Sequence, residues 1–351
     1  MARRQGRLDF LDAVRGIAAL AVVVWHVSEG GWVGGASFGN RWFNLGRFGV
    51  CAFFLVSGFV IPLSLERSRD VRDFVIRRFF RLYPLYWLSL ASVMVLSIWL
   101  RDVLPGGFDH RLPISAIVNA TMLQEFVRVP HAIAVYYTLT IELVWYVACV
   151  ALLRLRWLSR TEILTWTMLS VFAASCVLLP LVIHRRAPFS TPFYAVVLLV
   201  GSALYRHYEG QLPTRRLVSI VCAALLLGVA AGAIAQARFG APRGSLHALA
   251  AVLPWCAAFA LVFAAYAGRA VAWPRVFTRL GLISYSIYLL HTPIFVAASH
   301  LTANAWVQAS ITIVGVIVVS ELTWRLVEAP GQSFGRRLTA RRRVQSGVVA
   351  S

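Results

Sequence analysis

Lysine is absent from this chain. All 34 basic residues among its 351 are arginine, which reads as nucleotide composition more than chemistry. Charge of either kind is scarce: 14% of residues are charged, against about 25% in a soluble globular domain. Acidic residues number only 14, so the net charge is +20. With 59% hydrophobic residues and a mean hydropathy of +0.72, a soluble domain is excluded and a polytopic membrane protein is expected. The arginines flank apolar runs and do not cluster in one domain, which argues against nucleic acid as a partner. Cysteine is sparse as well. Cys51, Cys149, Cys176, Cys222 and Cys256 are odd in number, lie inside apolar runs and form no metal-type pair, so they read as small core residues. No internal repeat, low-complexity tract or appended soluble domain is visible. The first apolar run contains Asp12 and Arg15, and no small-residue cleavage site follows His26, so a retained first span is expected in place of a cleaved signal.

The fold class expected is an all-α polytopic membrane protein. Ten segments are long enough to span, near 10–28, 47–65, 84–101, 135–153, 162–183, 192–206, 216–237, 248–267, 281–300 and 306–327. Glu66 to Pro84 is polar and arginine-rich, with Val71, Phe74, Val75, Phe79 and Leu82 at helical spacing. It is expected to be an amphipathic helix on the cytoplasmic surface, with Pro84 opening the third span. The connection from Arg101 to Val135 is the longest. Most arginine falls at Arg3 to Arg7, Arg67 to Arg81, Arg154 to Arg160, Arg206 to Arg216, Arg269 to Arg279 and Arg325 to Arg343. These segments share one side if the termini do, so both termini are expected in the cytoplasm. The organisation expected is a basic amino terminus over 1–9, a membrane domain over 10–330 and a basic, disordered tail over 331–351.

One stretch, LDAVRGIAALAVVVWH from Leu11 to His26, orders the rest. At about 100° per residue, Arg15 and His26 fall within roughly 20° of one another around a helix and about 16 Å apart along it. Asp12 can pair with Arg15 and lower the cost of burying either. Histidine is the side chain suited to general-base work near neutral pH, which makes His26 a candidate, although a lone interfacial histidine is more often inert packing. In RRFFRLYP, Arg77, Arg78 and Arg81 are helix neighbours suited to a polyphosphate. The bland reading is positive-inside charge on anionic lipid. In YYTLTIELVWY, Glu142 enters an apolar segment at a depth like that of His26, where a carboxylate could orient an imidazole or merely anchor two helices. In GLISYSIYLLHTP, Tyr285, Tyr288 and His291 suit interhelical hydrogen bonding better than catalysis. Glu321 and Glu328 close the set, and Glu328 reads as structural.

These stretches, with FFLVSGFVI and its Ser57 between them, resemble the acyltransferase-3 family of bacterial membrane O-acyltransferases. LDAVRGIAALAVVVWH, FFLVSGFVI, FVIRRFFRLYPLYW, TLTIELVWY and SYSIYLLHTP carry the resemblance in order, over about 10–330. The family's Arg-x10-His pattern falls on Arg15 and His26, and its Arg-x-x-Arg on Arg78 and Arg81. Its Trp-Ser/Thr-Leu-x-x-Glu falls on Glu142, with Tyr137 at the tryptophan position. The resemblance implies a multi-pass protein of the bacterial plasma membrane. It also implies an acyl-CoA co-substrate, acetyl-CoA first, with no permanently bound cofactor and no metal. The acceptor would be a hydroxyl at the outer side. Some members carry an esterase-like domain at the carboxyl end; this chain ends in a short basic tail, and that domain is expected to be missing.

On this reading His26 is the general base and Glu142 orients it or holds its charge. Arg15 lines the donor path, and Arg78 and Arg81, with Arg77, hold the CoA phosphates. Asp12, Ser57, Tyr288 and His291 are secondary candidates. The acceptor is read first as a glycan and second as a hydrophobic natural product such as a macrolide. A glycan or lipid transporter and a structural envelope partner are the alternatives of other classes.

Overall fold

The structure, a computed structural model, describes residues 8–29, 43–68, 70–100, 113–185, 189–239 and 246–345, with side chains at 113, 236–251 and 341–345 set aside. All regular structure among them is helical. The chain divides into two compact units, Met1–Leu63 with Ala148–Leu282, and Ser64–Val147 with Ile283–Ser351.

The first unit holds α1 (Asp9–Glu29) and most of α2 (Leu45–Glu66). Later come α6 (Thr161–Phe172), which runs through a π-turn at Ala173–Leu178 into α7 (Leu179–Ile183), then α8 (Ser190–Tyr208), α9 (Thr214–Phe239), α10 (Leu246–Ala267) and α11 (Arg275–Leu282). Every residue of α8 from Val196 to Arg206 is buried, as expected of a helix apolar on all sides. Helices α2 and α8 touch backbone to backbone. A Cβ on Gly58 would lie 2.1 Å from the Leu198 carbonyl oxygen, and one on Gly201 would lie 2.2 Å from that of Leu55. Small residues permit such crossings between apolar helices. Arg206, 4% exposed, is fully engaged: Nη2 donates to the Leu158 carbonyl at 2.9 Å, Nη1 to Gln211 at 2.9 Å and Nε to Thr161 at 3.3 Å.

The second unit holds α3 (Val71–Leu100), α4 (Pro113–Ala120), most of α5 (Tyr136–Arg154), α12 (Ser284–Leu301), α13 (Ala305–Thr323) and α14 (Ala329–Gln345). A π-turn at Trp324–Glu328 joins the last two. The amphipathic stretch expected before Pro84 is not a separate surface helix. It is the first half of α3, a single helix of 30 residues and about 45 Å, with Asp73, Phe74, Arg78 and Leu82 buried. Pro84 sits inside it, and Gly331 of α14 packs against the carbonyl that Pro84 cannot engage, that of Phe80. A Cβ there would lie 2.9 Å from the oxygen.

Two other prolines have a substitute donor. Pro293 leaves the Leu289 carbonyl without its helical donor, and Ser89 Oγ donates to it at 3.0 Å. In the first unit Pro62 leaves the Gly58 carbonyl, and Ser202 Oγ donates to it at 2.9 Å. Within hydrocarbon, serines of neighbouring helices replace the N–H that proline lacks.

The tail expected to be disordered over 331–351 is helical to Gln345; residues 346–351 lie outside the described set. Gly331, Phe334, Gly335 and Thr339 recur at helical spacing and face α3: Phe334 meets Phe80 at 5.0 Å between centroids, and Arg77 Nε reaches Thr339 Oγ at 3.3 Å. The basic composition concealed this apolar and small-residue stripe.

By length and apolarity, seven described helices can cross a membrane: α1, α2, α3, α5, the run Leu158–Ile183, α9 over Thr214–Ala235, and the run Ala305–Ala340. The pair α11 and α12 passes the same test only when taken together. The sixth and eighth segments expected as spans correspond to α8 and α10. Neither meets that criterion over its described residues, because α8 has polar ends and α10 is described as an apolar helix only over Val252–Ala267. Part of the long connection expected as loop is the short helix α4. Tyr86 OH fixes its end by donating to the Asn119 carbonyl at 2.6 Å.

Candidate active site

Helix α1 carries Asp12, Arg15 and His26, all half-buried, among Ala13, Val14, Ala18, Ala19 and Val23, which have no exposure. Its first turns are pinned by α11. A Cβ on Gly281 would lie 1.9 Å from the Asp12 carbonyl oxygen, and one on Gly16 would lie 2.8 Å from the Gly281 nitrogen. The turn bearing Asp12 and Arg15 therefore has one position. Three turns on, His26 Nδ1 donates to the Val22 carbonyl at 2.9 Å. A carbonyl only accepts, so Nδ1 carries the proton of the neutral ring and Nε2 carries the lone pair. Nε2 is thus the atom that can take a proton from a hydroxyl.

In the second unit the RRFFRLYP and TLTIELVWY stretches meet. Arg78 is only 8% exposed, and its guanidinium lies 5.4 Å from the Phe74 ring and 5.3 Å from the Tyr146 ring. The Tyr146 hydroxyl donates to Glu142 Oε1 at 2.5 Å. Glu142 and Arg81 are the charged neighbours acting on Arg78. A buried cation between two ring faces, with a carboxylate one tyrosine away, is a compensated arrangement that fixes all four side chains. Arg77 and Arg81 are half-buried, and Arg77 Nη2 lies 4.0 Å from Asp73.

Residues 8–325 match the family model described as "Acyltransferase domain". The chain belongs to this family. It is 25% identical over 362 residues to the putative membrane-bound transacylase BcsY of Komagataeibacter xylinus, covering 97% of this chain and 88% of that one. It is 23% identical to the peptidoglycan O-acetyltransferase OatA of Listeria monocytogenes over 93% of this chain and 56% of the relative. Over a shorter stretch, 39% of this chain and 36% of the relative, it is 32% identical to the acyltransferase MdmB of Streptomyces mycarofaciens. No solved structure matches it. The chain is therefore a multi-pass membrane acyltransferase.

The remaining candidates of this acyltransferase have structural partners. Tyr288 OH lies 2.7 Å from Thr138 Oγ1. His291, 1% exposed, donates through Nδ1 to the Tyr288 carbonyl at 2.8 Å. Tyr285 OH donates to the Leu82 carbonyl at 3.0 Å. Ser57 is half-buried on α2 in the first unit. Glu328, 3% exposed at the end of the π-turn, accepts from the Ser286 hydroxyl, which in turn accepts from Thr323 Oγ1 at 3.0 Å. Sequence reasoning passed over Tyr146 and read Phe74 only as part of an apolar helix face. The signal was present, since each lies four residues from a charged candidate, Glu142 and Arg78, and so shares its helix face. Among the described residues no group of three or more His, Cys, Asp or Glu could hold a metal.

Proposed function

We propose that this acyltransferase moves an acyl group, acetyl first, from cytoplasmic acyl-CoA to a hydroxyl of a glycan at the outer face of the bacterial plasma membrane. The observation that carries the reading is the Nδ1 bond of His26, which leaves Nε2 basic on the face that also bears Arg15. His26 Nε2 removes the acceptor proton as the oxygen attacks the thioester carbonyl. The carbon–sulfur bond breaks, and the proton on Nε2 passes to the departing thiolate. The products are the ester and free CoA-SH, and no further reactant is required. Arg81, with Arg77, receives the CoA phosphates, and Arg15 lines the donor path. Arg78, stacked between Phe74 and Tyr146, keeps the donor end organised and contributes positive potential. Glu142 supplies the carboxylate that steadies positive charge during transfer.

In this reading the chain crosses the membrane ten times with both termini in the cytoplasm. Helix α8 is counted as a span because protein neighbours bury it from Val196 to Arg206, and α10 because Val252–Ala267 is an apolar helix. Relatives named for peptidoglycan O-acetylation support a glycan acceptor. Membership of the family takes the transporter and structural-partner readings out of consideration.

The test is a mass comparison. Cells with wild type or His26→Ala at matched levels are fed labelled acetate, and envelope glycans and small-molecule extracts are analysed for added acyl mass. Label on glycan with wild type alone supports the reading. Label only in the extract assigns a hydrophobic natural product as acceptor. Equal label with both proteins rules out His26 as the base.

A further inference from the structure

The connection between α4 and α5 carries a cleft that the transfer chemistry above does not use. Its volume is about 570 Å³, and Glu125, Arg128, Pro130, His131 and Tyr137 are among the residues lining it. That volume lies within the range of small-molecule sites. The cleft is a built feature. Asn119, with no exposure, donates to the carbonyls of Ser115 and Pro130 at 2.9 and 3.0 Å and accepts from the Ala132 N–H at 2.9 Å. The backbone is held left-handed at Met122 (φ 62°) and Arg128 (φ 56°), a conformation that non-glycine residues keep only where their surroundings enforce it.

The polar side chains are pre-set in a chain. Gln124, with no exposure, holds His131 Nδ1 through Nε2 at 3.0 Å, and His131 Nε2 donates to Glu125 Oε2 at 2.6 Å. The Glu125 carboxylate is thereby fixed while 62% of its side chain stays exposed. Beside it stand the Arg128 guanidinium and the Tyr137 ring. A fixed carboxylate accepts from paired hydroxyls, a guanidinium donates, and a phenol ring offers a flat apolar face. This combination suits a sugar ring, which presents hydroxyls around its edge and C–H groups on its face. It suits a phosphate poorly, because the carboxylate would repel it. Tyr137 lies five residues before Glu142 on α5, about 7.5 Å of helical rise.

We propose that this cleft binds a sugar residue of the acceptor, with Tyr137 as the stacking platform and Glu125, oriented by His131, as the hydroxyl acceptor. The inference rests on the glycan reading above and gives it a location.

The test titrates chitohexaose and cellohexaose onto the purified full chain in lipid nanodiscs, read by saturation-transfer NMR. Saturable binding of at least one is expected, weakened at least tenfold by Tyr137→Ala and by Glu125→Gln. Tyr137→Trp, which keeps a platform, retains binding and serves as the control for folding. Binding of neither sugar by wild type, or equal binding by Tyr137→Ala and Glu125→Gln, overturns the proposal. Transfer separates the two readings. Sugar bound in this cleft with no acyl group moved defeats the transfer reading alone. Acyl transfer to the sugar with an unchanged acceptor KM in Tyr137→Ala defeats the cleft alone.

Discussion

The hydroxyl of Tyr146 donates to the carboxylate of Glu142 at 2.5 Å, one helical turn away on α5, while the ring of the same tyrosine faces the Arg78 guanidinium. One side chain thus couples an acid and an arginine drawn from two helices. Tyr146→Phe keeps the ring and removes the donor. A hydrogen bond to a charged group is worth about 1.5–3 kcal/mol, and 1.4 kcal/mol is about a tenfold rate effect. The expected outcome is a fall in kcat of about tenfold or more with little change in donor KM. An unchanged kcat in an acyl-CoA thiol-release assay would remove Glu142 orientation from the mechanism.

Arg78 is not replaceable by lysine. Its planar group lies over two rings, an arrangement an ammonium on a flexible stem does not reproduce. Arg78→Lys is expected to lower the thermal midpoint of the purified protein, and Arg78→Ala to lower it further, each stacking contact contributing about 0.5–2 kcal/mol. A midpoint equal to wild type in Arg78→Lys would show that charge alone matters there.

Ser202→Ala leaves the Gly58 carbonyl without its donor and is expected to cost about 1–3 kcal/mol. Adding Pro62→Ala restores the backbone N–H that can take that carbonyl, so the double variant recovers stability. A cycle measured by thermal unfolding in detergent checks this, and additive losses would refute it.

Gly201→Leu is expected to prevent assembly of the first unit, since even a Cβ at that position lies 2.2 Å from the Leu55 carbonyl oxygen. Gly201→Ala should cost at least the ~1–3 kcal/mol typical of overpacking. Monodisperse yield after size exclusion is the readout, with Gly210→Ala, where nothing lies within 4 Å, as a milder comparison limited to its left-handed φ of 75°.

The ladder of apolar runs, the arginine-rich flanks and the Arg15–His26 register were legible because each depends on local period and composition alone. A helix repeats every 3.6 residues whatever surrounds it, so the shared face of Arg15 and His26 follows from their spacing. The continuity of α3 through Pro84 was not legible. Gly331, far along the chain, packs against the Phe80 carbonyl that Pro84 leaves open, and no local signal shows that contact. The ordering of the tail was hidden for the same reason, since the stripe Gly331, Phe334, Gly335 and Thr339 has meaning only against α3.

By itself, then, the sequence determined a helical membrane protein with an acid, arginines and a histidine in apolar surroundings, because hydropathy and helical period are properties of neighbouring residues. Tertiary structure alone decided that Arg78 is buried between Phe74 and Tyr146 and that Glu125, His131 and Tyr137 line one cleft. Those facts rest on ring faces, carbonyls and turns whose positions are set by packing, and packing pairs residues that no local period relates.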